Sequence, residues 1–184
     1  MEERVAVFID GSNFYYKLKS LNVAHLLVFD YGRFTEWLAR NRHIVARGYY
    51  VGVVRAKSDD DKAQKMRLNQ RRLFNYLLQP SQGFYIKKGY LMKNDGIYHE
   101  KGVDVQLAID IVIGAYDDVY DTAIIISSDT DLIPAMKKVK LLGKKIEYIG
   151  FAHQPSLAMQ VHATLSRLIL REDLDPYEFK GTII

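Results

Sequence analysis

Four aspartates, Asp10, Asp104, Asp129 and Asp131, stand beside apolar runs and could act together on a metal ion. Asp10 directly follows the apolar run Val5 to Ile9, and Asp129 and Asp131 follow the apolar run Thr122 to Ile126 across Ser127-Ser128. If both runs are parallel strands, both ends lie at the same carboxyl edge of a sheet. Asp104, in Lys101-Gly102-Val103-Asp104, reaches that edge if the helix that follows begins there. Carboxylates gathered this way repel one another and are driven toward their protonated forms unless a cation compensates. The chain has no cysteine and its five histidines show no ligand spacing, so the donors on offer are hard oxygens, which suit Mg²⁺ or Mn²⁺. Such an ion keeps waters, takes one or two carboxylates directly and accepts substrate phosphate as a further ligand. The chemistry would be phosphodiester hydrolysis, with one ion or with two roughly 3.5–4 Å apart.

Several neighbours could serve the same cleft. Asn13, three residues after Asp10, falls in the first turn of a helix, where its amide could orient a ligand or a water. Ser12 and Ser128 could bond a phosphate at helix N-termini, and Lys101 could add a positive charge. Ordinary readings stand beside these. An aspartate after a strand is often a helix cap, serines at such positions are more often caps than ligands, and Asp131 could cap the helix containing Pro134. Asp110, about 240° round the helix from Asp104, reads as structural or supporting. The ensemble carries the signal.

These residues need elements to hold them. The 184-residue length suits one domain spanning 1–184, and the composition, 48% hydrophobic and 26% charged, is that of a globular chain. Strands are predicted at Val5–Ile9, His43–Arg55, Phe84–Met92, Ile97–Glu100, Thr122–Ile126, Ile146–Ile149 and Leu168–Leu170. Helices are predicted after Asn13, at Tyr31–Asn41, after Ser58-Asp59-Asp60-Asp61, at Val103–Ala115, from Asp131 through Leu142 and at Pro155–Thr164. In the third helix Met66, Gln70, Leu73, Phe74, Leu77 and Leu78 mark the expected buried side. Lys93-Asn94-Asp95-Gly96 signals a hairpin, a small excursion from the main sheet near 84–100. Alternation of strand and helix implies a three-layer α/β/α fold with a mostly parallel sheet, which binds ligands at the carboxyl ends of its strands.

Charge favours a polyanionic partner only mildly, with a net +4 and a pI near 9.1. Lys65, Arg67, Arg71 and Arg72 could track phosphates along the third helix, although a solvated face is an equal reading. Tyr15, Tyr16, Tyr49, Tyr50, Tyr85 and Tyr90 could stack on bases, but tyrosines of such folds are mostly core residues and none is singled out. No apolar stretch is long enough for a signal peptide or a membrane span, so a cytoplasmic protein is expected.

The blocks VAVFIDGSNFYY, KGVDVQLAIDIV and AIIISSDTDLIPAMKKVKLLGKKIEYIG, in this order and spacing, resemble the NYN domain, particularly its bacterial LabA-like branch, over about residues 4 to 170. NYN domains are similar to PIN-domain nucleases. The resemblance therefore implies a PIN-like sandwich and metal-dependent cleavage of RNA that leaves a 5′-phosphate and a 3′-hydroxyl. Carried over by position, the family's acidic residues fall on Asp10, Asp104, Asp129 and Asp131, and its polar helper on Asn13. One departure stands out: Ser127-Ser128-Asp129 replaces the commoner Ser-Gly-Asp, which could restrict the approach of a phosphate.

The leading expectation is a Mg²⁺- or Mn²⁺-dependent ribonuclease acting on single-stranded or structured RNA, with a homodimer reasonable for the class. The alternatives are a nucleic-acid-binding or regulatory module that keeps the acidic pocket without turnover, and a Toprim-like or phosphatase-type phosphotransfer enzyme. Against the last, Asp10-Gly11-Ser12 lacks a second aspartate, and Toprim chemistry wants a glutamate after the first strand.

Overall fold

The computed structural model describes residues 2–54, 60–94 and 97–181. Seven strands form one sheet in the order β4-β3-β2-β1-β5-β6-β7. They are β1 (Arg4–Asp10), β2 (His43–Val53), β3 (Tyr85–Asn94), β4 (Ile97–Lys101), β5 (Thr122–Ile126), β6 (Lys145–Phe151) and β7 (Leu165–Ile169). All neighbours run parallel except β3 and β4, which pair antiparallel. The predicted hairpin is thus part of the sheet: its first arm pairs in parallel with β2, and only β4 reverses. Asp95 and Gly96 of its expected turn, and Ser58 and Asp59 of the expected helix cap, lie outside the described residues.

Alternation along β1 separates two cores, because successive side chains of a strand point to opposite faces. Val5, Val7 and Ile9 pack with Phe14 and Leu18 of α1 (Gly11–Ser20), Phe34 and Leu38 of α2 (Tyr31–Ala39) and Leu73, Phe74 and Leu77 of α3 (Asp61–Leu77). Ala6 and Phe8 pack on the other face with Leu107 and Ile111 of α4 (Val103–Tyr116), Met136 and Val139 of α5 (Ile133–Leu141) and Met159 of α6 (Leu157–His162). Helices cover both faces, which is why Thr122–Ile126 is buried throughout and reads as an unbroken apolar run. This is the predicted three-layer sandwich.

Local chemistry sets the helix starts. Asp10, Asp30 and Asp60 each accept a hydrogen bond from the amide three residues on, capping α1, α2 and α3. Some boundaries differ from the sequence reading. Leu78 lies one residue beyond α3 and is exposed. The stretch after Asp129 opens as a 3₁₀ turn, Thr130–Leu132, before α5 begins. The last strand begins at Leu165, three residues ahead of its expected start. Among the described residues no helix is long and apolar enough to cross a membrane.

The chain leaves β1 toward β2 and β3 on one side and later returns to β5 on the other, so strand order reverses between β1 and β5. A crevice at the carboxyl ends of such a pair is where open parallel sheets take their ligands.

Candidate active site

Asp10 sits at that crevice. It ends β1 and caps α1, so the helix starts with no intervening loop; Oδ1 accepts from the Asn13 amide at 3.0 Å. Only 5% of the residue is exposed. Gly11 permits the sharp start: a β-carbon there would lie 2.6 Å from Cζ of Tyr49 and 2.8 Å from the Tyr50 carbonyl oxygen, so α1 could not seat against β2.

Across the strand pair, Ile9 is level with Ile126, so the next residues, Asp10 and Ser127, face each other at the sheet edge. Ser127 Oγ donates to Asp10 Oδ2 at 2.8 Å and accepts from the Asp129 amide at 3.1 Å. Asp129 Oδ1 in turn accepts from the Asp131 amide at 2.9 Å, capping the 3₁₀ turn. One buried serine therefore ties the β1 carboxylate to the loop that carries two more. Asp129 is half-buried, Asp131 is exposed, and neither makes an ion pair among the described residues.

Asp104 arrives by a different route. Lys101 is paired with Tyr90, and Tyr90 with Val53, three residues beyond Tyr50, the partner of Asp10; the β3–β4 hairpin thus projects past the carboxyl edge. The chain turns through Gly102, whose φ of +80° suits glycine, and α4 begins at Val103. Asp104, half-buried in the first turn of α4, stands at that edge, and α4 packs against the Thr130–Leu132 turn as well as β1, β2 and β3.

The other candidates are placed less decisively. Asn13 contributes its amide to Asp10 while its side chain, and those of Ser12 and Ser128, make no hydrogen bond among the described residues. Lys101 is exposed at the end of β4. On α3, Lys65, Arg67, Arg71 and Arg72 are all exposed. At about 100° per residue, Arg67 and Arg71 form one ridge, with Lys65 and Arg72 a second about 130° away, rather than a single stripe.

Ser127 gains a role that the sequence did not give it, and Asp110, read there as structural or supporting, gains its partners. Ser127, not Ser128, makes the bridge, and the signal for it is register, since it is the first residue after β5 and falls opposite Asp10. Asp110 accepts from the Tyr50 hydroxyl at 2.9 Å and from Gln106 Nε2 at 2.7 Å, with Lys87 Nζ at 3.6 Å. Tyr50 also meets the Tyr85 hydroxyl at 3.0 Å. Burial, reinforced by Tyr85 and Asp110, pushes the Tyr50 hydroxyl far above the ordinary tyrosine range, so it stays a proton donor. This network braces β2 and β3 against α4 behind the Asp10 edge.

Among the described residues no three acidic or histidine side chains converge into a ready-made metal cage. The donor set nonetheless fits an Mg²⁺-type ion, which takes one or two carboxylates and leaves its other positions to water and phosphate. Asp10, Asp129 and Asp131 supply hard oxygens, with Asp104 on the facing helix.

The fold is shared with a solved protein of unknown function from Vibrio parahaemolyticus, 22% identical, with 91% of this chain and 93% of that one aligned at a TM-score of 0.61. The T5 5′-exonuclease with bound divalent zinc ions aligns over 72% of this chain and 51% of its own at 14% identity, with a TM-score of 0.43, too low to support an argument. No curated protein matches the sequence. The model of the NYN domain, by contrast, matches residues 4–169, which takes in Asp10, Asp104 and Asp129–Asp131 together with every strand of the sheet. The chain belongs to the NYN domain family.

Proposed function

We propose that this protein is a metal-dependent ribonuclease of the LabA-like branch, hydrolysing RNA phosphodiesters at the carboxyl edge of β1 and β5. The observation that carries the reading is the buried Asp10 carboxylate at the reversal of strand order, bonded through Ser127 to the Asp129–Asp131 loop, in a chain of the NYN family. Asp10, Asp129, Asp131 and Asp104 hold Mg²⁺ or Mn²⁺. When bound, the ion lowers the pKa of coordinated water and offsets charge on phosphoryl oxygens.

The protein's own groups do the rest. Ser127 fixes one oxygen of Asp10 by donating to it, and the Asn13 amide fixes the other. The first turn of α1 directs amides toward an anion, and the Ser12 hydroxyl and the Asn13 side-chain amide remain available to orient a phosphate or the attacking water. Lys101 and the exposed cations of α3 attract the polyanion without reading its sequence.

One observation favours a second reading, a binding or regulatory module without turnover: Asp10 and Asp129 both already serve as caps, and the acids are not drawn into a cage. Purified protein and labelled single-stranded and hairpin RNA, with Mn²⁺, Mg²⁺ or EDTA, separate the two. Cleavage that requires the metal and disappears in Asp10→Asn supports the ribonuclease; retained RNA binding with no cleavage in any metal supports the module.

A further inference from the structure

Next to the acidic edge lies a cleft of about 480 Å³ that the chemistry above leaves unused. Its walls are α1, α3, the Leu26–Val28 turn and the carboxyl ends of β2 and β3, and its rim begins at Gly11 and Ser12, the residues that immediately follow Asp10. The volume is within the roughly 300–1,000 Å³ of small-molecule sites, and the lining has their character, mostly apolar with a few polar groups.

The lining is sorted by chemistry. Tyr15 and Tyr16, one helical turn after Gly11 and Ser12, stand edge to face with centroids 5.5 Å apart at 79°, and Tyr16 is 65% exposed. Tyr49 and Val51 supply a buried apolar floor, and Met66 on α3 is half-buried at the opposite wall. Gln70 is already engaged, donating to the Gly52 carbonyl at 2.7 Å and accepting from the Val54 amide at 3.0 Å, so it fastens α3 to β2. Asn69, one residue away and half-buried, lines the same cleft, and its side chain has no hydrogen-bond partner among the described residues. An aromatic wall, a flexible thioether and one amide that can both donate and accept match a planar heterocycle with a polar edge. Lys62, exposed one turn before Met66, adds a cation on the same side of α3.

We propose that this cleft is a nucleobase pocket that takes one unstacked base of single-stranded RNA, the base belonging to a nucleotide adjoining the phosphate at Asp10. The inference rests on the ribonuclease reading, because continuity with Asp10 through Gly11 and Ser12 identifies the occupant. Tyr15 and Tyr16 provide the stacking surface and Asn69 meets the hydrogen-bonding edge. Stacking on aromatic side chains accommodates every base, whereas an amide discriminates among base edges. A base held in a duplex cannot enter, so the pocket selects unpaired strands.

The test measures binding of a labelled nine-nucleotide single-stranded RNA to the whole protein in EDTA, where no cleavage intervenes. The RNA is used intact and with one abasic nucleotide moved along it, against wild type, Met66→Trp, which fills the cleft, and Asn69→Leu, which removes its amide. One abasic position should weaken wild-type binding about 5- to 150-fold. Met66→Trp should weaken the intact RNA by a similar factor yet add little to the loss at that abasic position, and Asn69→Leu should change the preference among bases there. If wild type binds RNA but both folded variants bind it as wild type does, or their losses simply add to the abasic loss, the pocket proposal is overturned and the ribonuclease reading stands. If wild type binds no RNA in EDTA, the pocket proposal falls, and the ribonuclease reading is decided by the metal-dependent cleavage assay. Should Met66→Trp not fold, the Asn69→Leu cycle decides alone.

Discussion

The two ends of β1 and β5 treat their acids differently. At the amino edge Asp121 pairs with Arg4 at 2.8 Å and Asp118 pairs with Arg4 and Lys144, and further along the sheet buried Glu147 of β6, level with the middle of β5, lies between Arg42 at 2.6 Å and Arg167 at 2.9 Å. At the carboxyl edge, Asp129 and Asp131 have no ion pair among the described residues, and the Asp10–Ser127–Asp129–Asp131 chain is built from a hydroxyl and backbone amides. Compensated acids hold strands and loops together, whereas Asp129 and Asp131, on the proposed function, keep negative charge for a cation from outside. On that reading the sheet separates stability from chemistry by position.

Substituting the carboxyl edge gives the largest expected effect on activity. Asp10→Asn and Asp129→Asn should each lower RNA cleavage more than about 100-fold, beyond the 10- to 100-fold loss typical of groups that only support a metal ligand. Both should leave the circular dichroism spectrum intact, since asparagine caps a helix as well as aspartate. Equal cleavage by wild type and either variant would erase the contrast between the edges.

Away from that edge, Glu147→Ala should do the reverse. It strands Arg42 and Arg167 in a largely buried position, where breaking one partner costs about 3–5 kcal/mol. Denaturant unfolding should register the loss, while the fraction that remains folded cleaves RNA at the wild-type rate.

Ser127→Ala sharpens the comparison, because it removes the bridge and no acid. Cleavage should fall about 10- to 100-fold, as for other outer partners of a metal site. The stability cost should stay near 1–3 kcal/mol, the penalty for orphaning buried partners. A large stability loss with unchanged specific activity would make the serine a structural pin only.

The smallest effect concerns acid. Arg4, first through its side-chain bond, holds the Asp121 carboxyl well below its ordinary range, and Lys144 and Arg4 do the same for Asp118. A carboxylate depressed in the folded state stabilises the fold above its unfolded pKa of about 3.8 and loses that contribution as pH falls toward the folded value. Both carboxylates are substantially exposed and screened by solvent, so the contribution is the small one of a surface pair. Arg4→Ala should move the acid-unfolding midpoint to a slightly higher pH in a circular dichroism titration and leave the curve near neutrality unchanged.

The carboxyl edge was legible in the sequence because its signals are local. An apolar β-branched run that stops at Asp10-Gly11-Ser12-Asn13 reports a strand end and a cap together, and Thr122–Ile126 followed by Ser127-Ser128-Asp129 does so again. Asp104 was legible once its helix was taken to start at Val103, as it does. The rest depends on contacts that no local pattern encodes. Choosing Ser127 over Ser128 needs the register of β1 with β5, 117 residues apart in the chain. The union of the 85–101 hairpin with the main sheet needs β3 to find β2, and Asp110 finds Tyr50 60 residues away. Leu78 looked buried because helical spacing continues past Leu77, but the helix ends there.

Whether the carboxyl-edge acids are set apart for a cation is decided by thermal unfolding of wild type, Asp10→Asn and Asp129→Asn with and without excess Mn²⁺. An ion at about 100 times its dissociation constant should stabilise the wild-type fold by about 2.7 kcal/mol. This upward shift should appear in wild type and shrink or vanish in both variants, and the metal-free variants should be at least as stable as wild type. Unfolding midpoints that Mn²⁺ leaves unmoved in wild type, with both variants less stable, would mean that these aspartates serve the fold and hold no metal.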